Sequence, residues 1–357
     1  MPRNIQDNIE GIYMSVLYSI CIPTYNRPHE IDRLLRTFSE ILKFDGLREK
    51  VELCISDNNE NTETKKIIDY YMKKKFLKIK YHRWGKNVGY DRNVLKALEL
   101  ASGKYLHAVS DEIYYTPESL AKIITILENN IDGIYISKKN KKIEDPSVLL
   151  NYMFSPSGIM NYFGTYMGSL IMKRKYYLDW VNEFSVYFDN YFGKAFMHLP
   201  LFIYFLKKAQ KLSFLKMEID TGKQAVLLPS KKSELYIKNY YFLIKACHDT
   251  KLINDEIFQR FKRNYLLALP FILFKIRIYM APSLYKKELK PILSDINMVK
   301  NDFIYSYWHI FSLWRLLLFN NLVPYHFVYK FWYWYKKIIR KDPHSVDLFA
   351  EYNKWCN

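Results

Sequence analysis

The sequence predicts an α/β protein, a parallel sheet flanked by helices, followed by an α-helical C-terminal region. Three observations carry that expectation. Up to about residue 118, short β-rich runs alternate with stretches whose apolar residues recur at helical spacing, the mark of βαβ units. The β-rich runs end in clusters of Pro, Asn, Gly or Asp, which form turns. After Pro229 the alternation gives way to amphipathic helix, expected to break at Pro270, Pro282, Pro291 and Pro324.

The elements follow in order. Residues 19–23 (SICIP) form a strand stopped by Pro23, and 31–42 (IDRLLRTFSEIL) a helix. Residues 51–55 (VELCI) are a second strand, 65–72 a second helix and 77–81 a third strand. A helix over 93–101 and a fourth strand over 105–109 complete the series. From 134 to 228 the pattern weakens. There 164–172 (GTYMGSLIM) reads as a further strand, whose small residues leave room for a ligand or whose two glycines mark a bulge. The charge run 138–142 reads as a solvated loop. A boundary near Ser230 divides the chain into an α/β domain, 1–229, and a helical region, 230–357. Ligands of a parallel sheet bind beyond the carboxyl ends of its strands, so the chemistry is sought directly after each strand.

Bulk composition narrows the function without choosing it. Half of the 357 residues are hydrophobic, ample for a buried core. Lys and Arg number 54 against 36 Asp and Glu, a formal net charge of +18. Such a surplus favours anionic partners: nucleic acid, acidic lipid headgroups or a phosphorylated substrate. Cys21, Cys54, Cys247 and Cys356 form no CxxC pair, which argues against zinc. Cys21 and Cys54 fall in strands, where reduced, buried thiols of a cytosolic chain are expected. The polar start MPRNIQDNIEG precedes no apolar signal segment, and the longest apolar run, 265–274, is too short to span a bilayer. A cytoplasmic protein without a membrane span is expected.

After the first strand, Pro23-Thr24-Tyr25-Asn26-Arg27 leaves backbone N–H groups and a hydroxyl to face a ligand; an ordinary strand-to-helix turn reads the same way. After the second comes Ser56-Asp57-Asn58-Asn59-Glu60-Asn61-Thr62. A carboxylate there can accept the imide N–H of uracil, while Asn61 or Thr62 can cap a helix with no ligand at all. After the third, Gly89 lets the backbone pass close to a ligand, and Asn87 and Asn93 offer amides. The fourth runs into Ser110-Asp111-Glu112. Two adjacent acids at a strand end repel by roughly several tenths of a kcal/mol unless a cation sits there. A divalent ion bridging a diphosphate meets that need through hard oxygen ligands suited to Mg²⁺ or Mn²⁺.

In order and spacing, IPTYNRP, SDNNENT, NVGYDRN and GKYLHAVSDE resemble the successive signatures of family 2 GT-A glycosyltransferases. The resemblance implies a GT-A fold, a Rossmann-like mixed sheet with a nucleotide-sugar half over about 15–118 and an acceptor half over about 119–229. It implies that Pro23, Thr24 and Tyr25 line the nucleotide pocket with Arg27 near it. Asp57 would contact the base with Asn59 beside it, and Asn87, Gly89 and Asn93 would flank the ribose and diphosphate. Ser110, Asp111 and Glu112 would occupy the acidic motif, with Mn²⁺ or Mg²⁺ as cofactor. This sequence departs from the family there. The usual Asp-x-Asp falls on Ser110-Asp111-Glu112 and a run of three acids on Asp111-Glu112-Ile113, so one carboxylate is missing in either register.

By the same resemblance the reaction inverts the sugar, with a carboxylate deprotonating the acceptor hydroxyl. The pair Glu144-Asp145 sits in a Lys-rich, Pro-ended loop and reads as surface. Asp189, within 184–198 (FSVYFDNYFGKAFMH), is the expected base because an aromatic setting raises a carboxyl pKa; a helix N-cap is its other reading. His198 is expected to ligate the metal or touch the diphosphate, against the alternative of a packed core imidazole. The expected activity moves a sugar from a nucleotide-sugar donor, a UDP-sugar, to a glycan or lipid-linked acceptor in bacterial surface polysaccharide or glycoconjugate synthesis. The alternative is a non-catalytic GT-A-like module that binds nucleotides or scaffolds a glycan-assembly complex. A nucleotidyltransferase would need a Gly-rich, basic first loop, and a dehydrogenase a GxGxxG after the first strand; neither is present.

Residues 301–341 interleave Tyr305, Tyr307, Trp308, Phe311, Trp314, Phe319, Phe327, Phe331, Trp332 and Trp334 with a basic run ending at Lys341. Two readings stand. A basic aromatic helix can lie peripherally on an anionic membrane, here the inner face of the cell membrane. Equally, its aromatics can pack on the α/β domain or on a second subunit of a homo-oligomer. Nucleic-acid binding fits less well, because no recognised module is present.

Overall fold

The computed structural model describes residues 16–44, 46–137, 142–160, 165–184, 195–217, 229–278 and 285–300. Asp189, the charge run 138–142 except its last residue, and the aromatic-basic stretch 301–341 lie outside them. The described residues belong to two compact units. One is drawn from Met1–Gly158, Tyr162–Ala225 and Leu243–Phe258, the other from Ile159–Asn161, Val226–Phe242 and Gln259–Asn357.

The first unit holds the sheet. Its strands are β1 (Tyr18–Thr24), β2 (Val51–Asp57), β3 (Ile79–Arg83), β4 (Tyr105–Ala108), β5 (Gly133–Ser137), β6 (Leu170–Lys173) and β7 (Leu212–Lys216). They lie in the order β3-β2-β1-β4-β6-β5-β7. β1 pairs in parallel with β2 and β4, β2 with β3, and β5 with β7. Only β6 is antiparallel, to β4 on one side and β5 on the other. The expected mixed, mainly parallel sheet is therefore the one observed.

Helices α1 (Pro28–Ile41), α2 (Glu63–Lys73), α3 (Tyr90–Glu99) and α4 (Pro117–Glu128) link the first five strands. Helix α1 forms because Pro28 presets its first turn and because Ile31, Leu34, Leu35, Phe38 and Ile41 make one buried face. Helix α4 begins at a reciprocal cap: Ser119 N–H donates to Thr116 Oγ1 and Thr116 N–H to Ser119 Oγ. β1 and β2 are buried along their whole length, as befits central strands covered on both faces. Tyr18, Ile20, Ile22, Leu53, Phe38 and Leu120 share the core between sheet and helices. Cys21, Cys54 and Cys247 are free, buried thiols.

The chain continues with α5 (Pro146–Met153), α6 (Pro156–Met160), α7 (Arg174–Phe184), α8 (His198–Lys208), α9 (Pro229–Ser233), α10 (Tyr240–Asp249), α11 (Asp255–Ile278) and α12 (Tyr285–Lys300). Three sequence expectations need correction. The strand read over 164–172 begins only at Leu170, because Met167–Ser169 form a 3₁₀ turn. Pro270 does not break α11, nor Pro291 α12. Proline inside a helix costs about 3 kcal/mol. Burial of Leu269, Ile272 and Ile276 in α11, and of Ile292 and Ile296 in α12, offsets that cost. No helix among the described residues is long and apolar enough to cross a membrane.

Candidate active site

The sheet order reverses direction between β1 and β4, whose chain connections leave toward opposite edges. A crevice opens at such a switch point, beyond the carboxyl ends of the two strands. The residues there are Thr24 to Arg27 after β1 and Ser110 to Glu112 after β4, and the structure ties them together. Thr24 Oγ1 donates to Asp111 Oδ2 at 2.7 Å. Arg27 Nη1 lies 3.1 Å from Asp111 Oδ1 and 2.6 Å from Glu112 Oε1, bridging the two carboxylates. Ser110 Oγ accepts the Glu112 N–H at 3.3 Å, so the residue standing where an acid was expected shapes the turn.

Electrostatics at this crevice are unbalanced. Asp111 is 4% exposed. Burial pushes its carboxyl above the ordinary carboxylate range, and the Thr24 hydrogen bond and the Arg27 charge recover only part of the shift. Burial opposes the Arg27 charge too, but Asp111 and Glu112 outweigh it and raise that pKa. Two carboxylates thus face a single guanidinium that touches both.

The β1 turn is held rigidly. Asn26 adopts a left-handed conformation, φ 54°, and its N–H donates to the buried Asn59 Oδ1. Asn59 Nδ2 in turn donates to Thr64 Oγ1 in α2. Asn59 is thus a brace between β1 and α2. Asp57 is fully buried; its Oδ1 accepts from Asn59 N–H at 2.9 Å and its Oδ2 from Tyr81 Oη at 2.7 Å. Pro23 is buried within β1, and Tyr25 is exposed.

The loop after β3 is shaped by Asn58. Its Nδ2 donates to Asn87 Oδ1 and to the Gly89 carbonyl, at 3.1 and 3.2 Å, and its Oδ1 accepts from Val88 N–H. Gly89 sits at φ 87°, ψ 163°, a backbone state open only to glycine. Asn93 Nδ2 donates to the Thr24 carbonyl at 3.0 Å, closing the ring of contacts from β3 back to β1. Asn58 and Tyr81 were not singled out from the sequence. Asn58 was visible as part of SDNNENT, but a strand tyrosine such as Tyr81 carries no local mark of the carboxylate it meets.

Farther along the chain, Asp91 is fully buried. Its carboxylate accepts from Ala195 N–H at 2.9 Å and Met197 N–H at 3.2 Å, at the entry to α8. His198 opens that helix, buried, with Nε2 3.1 Å from the Thr165 carbonyl and its ring near those of Tyr90, Phe196 and Phe202. Among the described residues no three His, Cys, Asp or Glu side chains are grouped to hold a metal, so His198 does not join Asp111 and Glu112 in such a set. Asp145 caps α5 through Ser147 and Val148 N–H, and Glu144 pairs with Lys142 at the surface. Both fit the surface reading.

A divalent ion is a fair match to the two acids themselves. Asp111 Oδ1 and Glu112 Oε1 already converge on one cationic nitrogen, and Mg²⁺-type ions are commonly held by one or two carboxylates plus substrate phosphates and water.

A polar first turn and an arginine-bridged carboxylate pair, gathered at the switch point of a mixed sheet, define an α/β protein whose candidate site lies beyond its strand ends. The chain belongs to glycosyl transferase family 2: the model of that family matches residues 19–197, half of its length. The mixed sheet agrees with the GT-A fold that the motifs implied. An abequosyltransferase, RfbV, of Salmonella typhimurium is 34% identical over 126 residues, which make up 35% of this chain and 37% of that protein. The match thus spans little more than a third of the relative. Among solved structures, TarS of S. aureus is 17% identical with a TM-score of 0.49, over 76% of this chain and 50% of that one. A mannosyltransferase, PcManGT, from Pyrobaculum calidifontis, solved with GDP-Man and Mn²⁺, is 12% identical with a TM-score of 0.44, over 87% and 82%. Likenesses so distant carry no functional conclusion.

Proposed function

We propose that this chain is an inverting glycosyltransferase that moves a sugar from a nucleotide-sugar donor, a UDP-sugar, to a glycan or lipid-linked acceptor of bacterial surface polysaccharide synthesis. One observation carries the reading: in a chain of this family, Thr24 and Arg27 converge on Asp111 and Glu112 at the switch point of the sheet. The name of the abequosyltransferase relative is consistent with sugar transfer.

In this reading the nucleotide lies over the β1 and β2 turns. The base sits near Asp57, and the ribose and diphosphate pass the loop of Asn87, Gly89 and Asn93. Thr24 fixes the rotamer of Asp111, and Glu112 stands beside it. When bound there, Mn²⁺ or Mg²⁺ supplies Lewis-acid stabilisation of the leaving diphosphate. Arg27 adds a charge-assisted contact to the same phosphates. Asp189 takes the acceptor proton, which directs attack on C1 from the face opposite the nucleotide and inverts the anomeric centre. His198 keeps the start of α8 in place on the acceptor side.

The test is donor hydrolysis and transfer across UDP-, GDP-, CDP- and dTDP-sugars with Mn²⁺, for the wild type and Asp111→Ala. Loss of a group that stabilises developing charge costs about 10²–10³-fold in rate, and Asp111→Ala should lose at least that. Full activity in the variant would remove the acidic motif from the mechanism. Nucleotide binding by the wild type without any donor hydrolysis would instead favour a non-catalytic binding module.

A further inference from the structure

We propose that Arg27 is the resident cation of the donor site, competing with the divalent ion for the same two carboxylate oxygens until the donor's diphosphate draws it away. The inference rests on the donor-site reading above. Its consequence is that metal and donor bind cooperatively, each weakly without the other.

The geometry is specific about which oxygens are contested. Asp111 Oδ2 is engaged by Thr24 at 2.7 Å, leaving Oδ1 as the oxygen that faces a cation. Arg27 Nη1 holds that oxygen at 3.1 Å and Glu112 Oε1 at 2.6 Å. One guanidinium nitrogen thus stands where an ion bridging both acids would stand. Two cations cannot share the point, so a metal entering alone must first break both contacts. With Ser110 where a further carboxylate would sit, few protein ligands remain to compensate.

Arg27 is also built to leave. Its side chain is 36% exposed, while the Asp111 side chain beneath it is 5% exposed. The turn that carries it is pinned through Asn26 and Asn59, so the backbone stays and only the long side chain swings. A planar guanidinium pairs with phosphate oxygens in a fork. An arriving diphosphate would therefore give Arg27 a new partner and give the metal additional oxygens in one event. By linkage, whatever factor the nucleotide adds to metal affinity, the metal adds to nucleotide affinity.

Mn²⁺ binding to the full chain without nucleotide, read by calorimetry and by the paramagnetic resonance of free Mn²⁺, tests the competition directly. Arg27→Gln should bind Mn²⁺ about tenfold more tightly than the wild type, within the usual range of coupling between linked sites. Arg27→Lys, which keeps a charge but not the fork, should fall between them. Asp111→Asn should abolish the binding in either background. With UDP present, the wild type should gain Mn²⁺ affinity by a larger factor than Arg27→Gln does. Mn²⁺ affinity in Arg27→Gln equal to or weaker than wild type would overturn the proposal. Should Arg27→Gln lose its thermal unfolding transition, Arg27→Lys decides on the same criterion. A wild type that binds no UDP under any condition would count against the donor-site reading instead, and leaves the Mn²⁺ comparison to stand or fall by itself.

Discussion

The β1–β4 half of the sheet and the β5–β7 half belong to one unit but hold their sites by different means. In the first, each parallel strand ends at the same edge, and its next few residues are the site. Thr24, Asp57 and Asp111 are delivered there by strand direction, and their partners come from their own turn or from a neighbouring strand and its turn. In the second, β6 runs against its neighbours, so the edge is supplied by the residues before a strand or helix. These are held by long-range contacts, buried or half-buried. Asp91 of α3 binds Ala195 and Met197, His107 of β4 binds the Gly168 carbonyl, and Tyr90 Oη meets Met167 Sδ at 3.2 Å. The first half is positioned by topology, and the second is hung upon the first.

That contrast can be broken most forcefully at two glycines. A Cβ on Gly133 would come within 2.2 Å of the Ile171 carbonyl oxygen in the β5–β6 pair, a backbone atom that cannot move without unpairing the strands. A Cβ on Gly103 meets the Ser19 Oγ at 2.5 Å, a side-chain atom that can be displaced only by giving up its bonds to Glu52 and to the Gly103 N–H, with backbone no nearer than 3.0 Å. Overpacking costs about 1–3 kcal/mol and at times more. Gly133→Ala should lie at or above the top of that range and Gly103→Ala within it, measured by chemical denaturation. Equal losses would mean that the antiparallel insertion is no less forgiving than the parallel core.

Asp91→Ala sharpens the comparison next. Ala195 and Phe196 both sit at φ 69°, a left-handed state that side chains rarely adopt. The Asp91 carboxylate accepts N–H groups on either side of that turn. Removing it strands the buried Met197 N–H, at about 1–3 kcal/mol, and frees the half-buried Ala195 N–H at a smaller cost, less what the turn regains by relaxing. A net loss of about 2–3 kcal/mol is expected, with proteolysis directed to the segment before α8. Wild-type stability and an unchanged cleavage pattern would show that this turn stands without α3.

The same contrast explains what was legible beforehand. The parallel strands and the four strand-end motifs were readable because apolar period and turn chemistry are local signals. β1 to β4 emerged within a few residues of where the pattern set them. Asp111 and Glu112 were found because a pair of acids at a strand end is itself anomalous. The ion pair that Arg27 makes with both was not, since nothing in the sequence states the distance between two turns 84 residues apart. In the second half, β7 and the late start of β6 were hidden because short strands completed by distant partners have no periodicity of their own. Asp91 carries no mark in the sequence beyond its place in NVGYDRN; its partners lie more than a hundred residues on. Asp57 was visible as a carboxylate, whereas its engagement by Tyr81 required the register of β2 against β3.

The smallest effect expected near neutral pH lies where the two halves join, at His107. Its ring is buried among Tyr18, Tyr115 and the Gly168 carbonyl. To meet that carbonyl, Nε2 must carry the proton, so Nδ1 accepts from a tyrosine hydroxyl and the ring is neutral. Burial pushes its pKa down to about 4, against a weaker opposite pull from the Gly168 carbonyl. The unfolded chain therefore takes up a proton on this residue before the folded one does. The contribution is fully present above the ordinary value of 6.5 and is lost as pH falls from there toward 4. At about 1.4 kcal/mol per pH unit, the loss across that window reaches at most about 3 kcal/mol, and by pH 5.5 about 1 kcal/mol. His107→Gln keeps a donor for Gly168 but cannot titrate. Urea unfolding at pH 7, 6 and 5 should show the wild-type advantage over this variant shrinking with acid. An advantage that holds constant to pH 5 would mean the imidazole does not stay neutral in the fold, and that the link from β4 to the Gly168 turn is not the closed, dry contact that joins the halves.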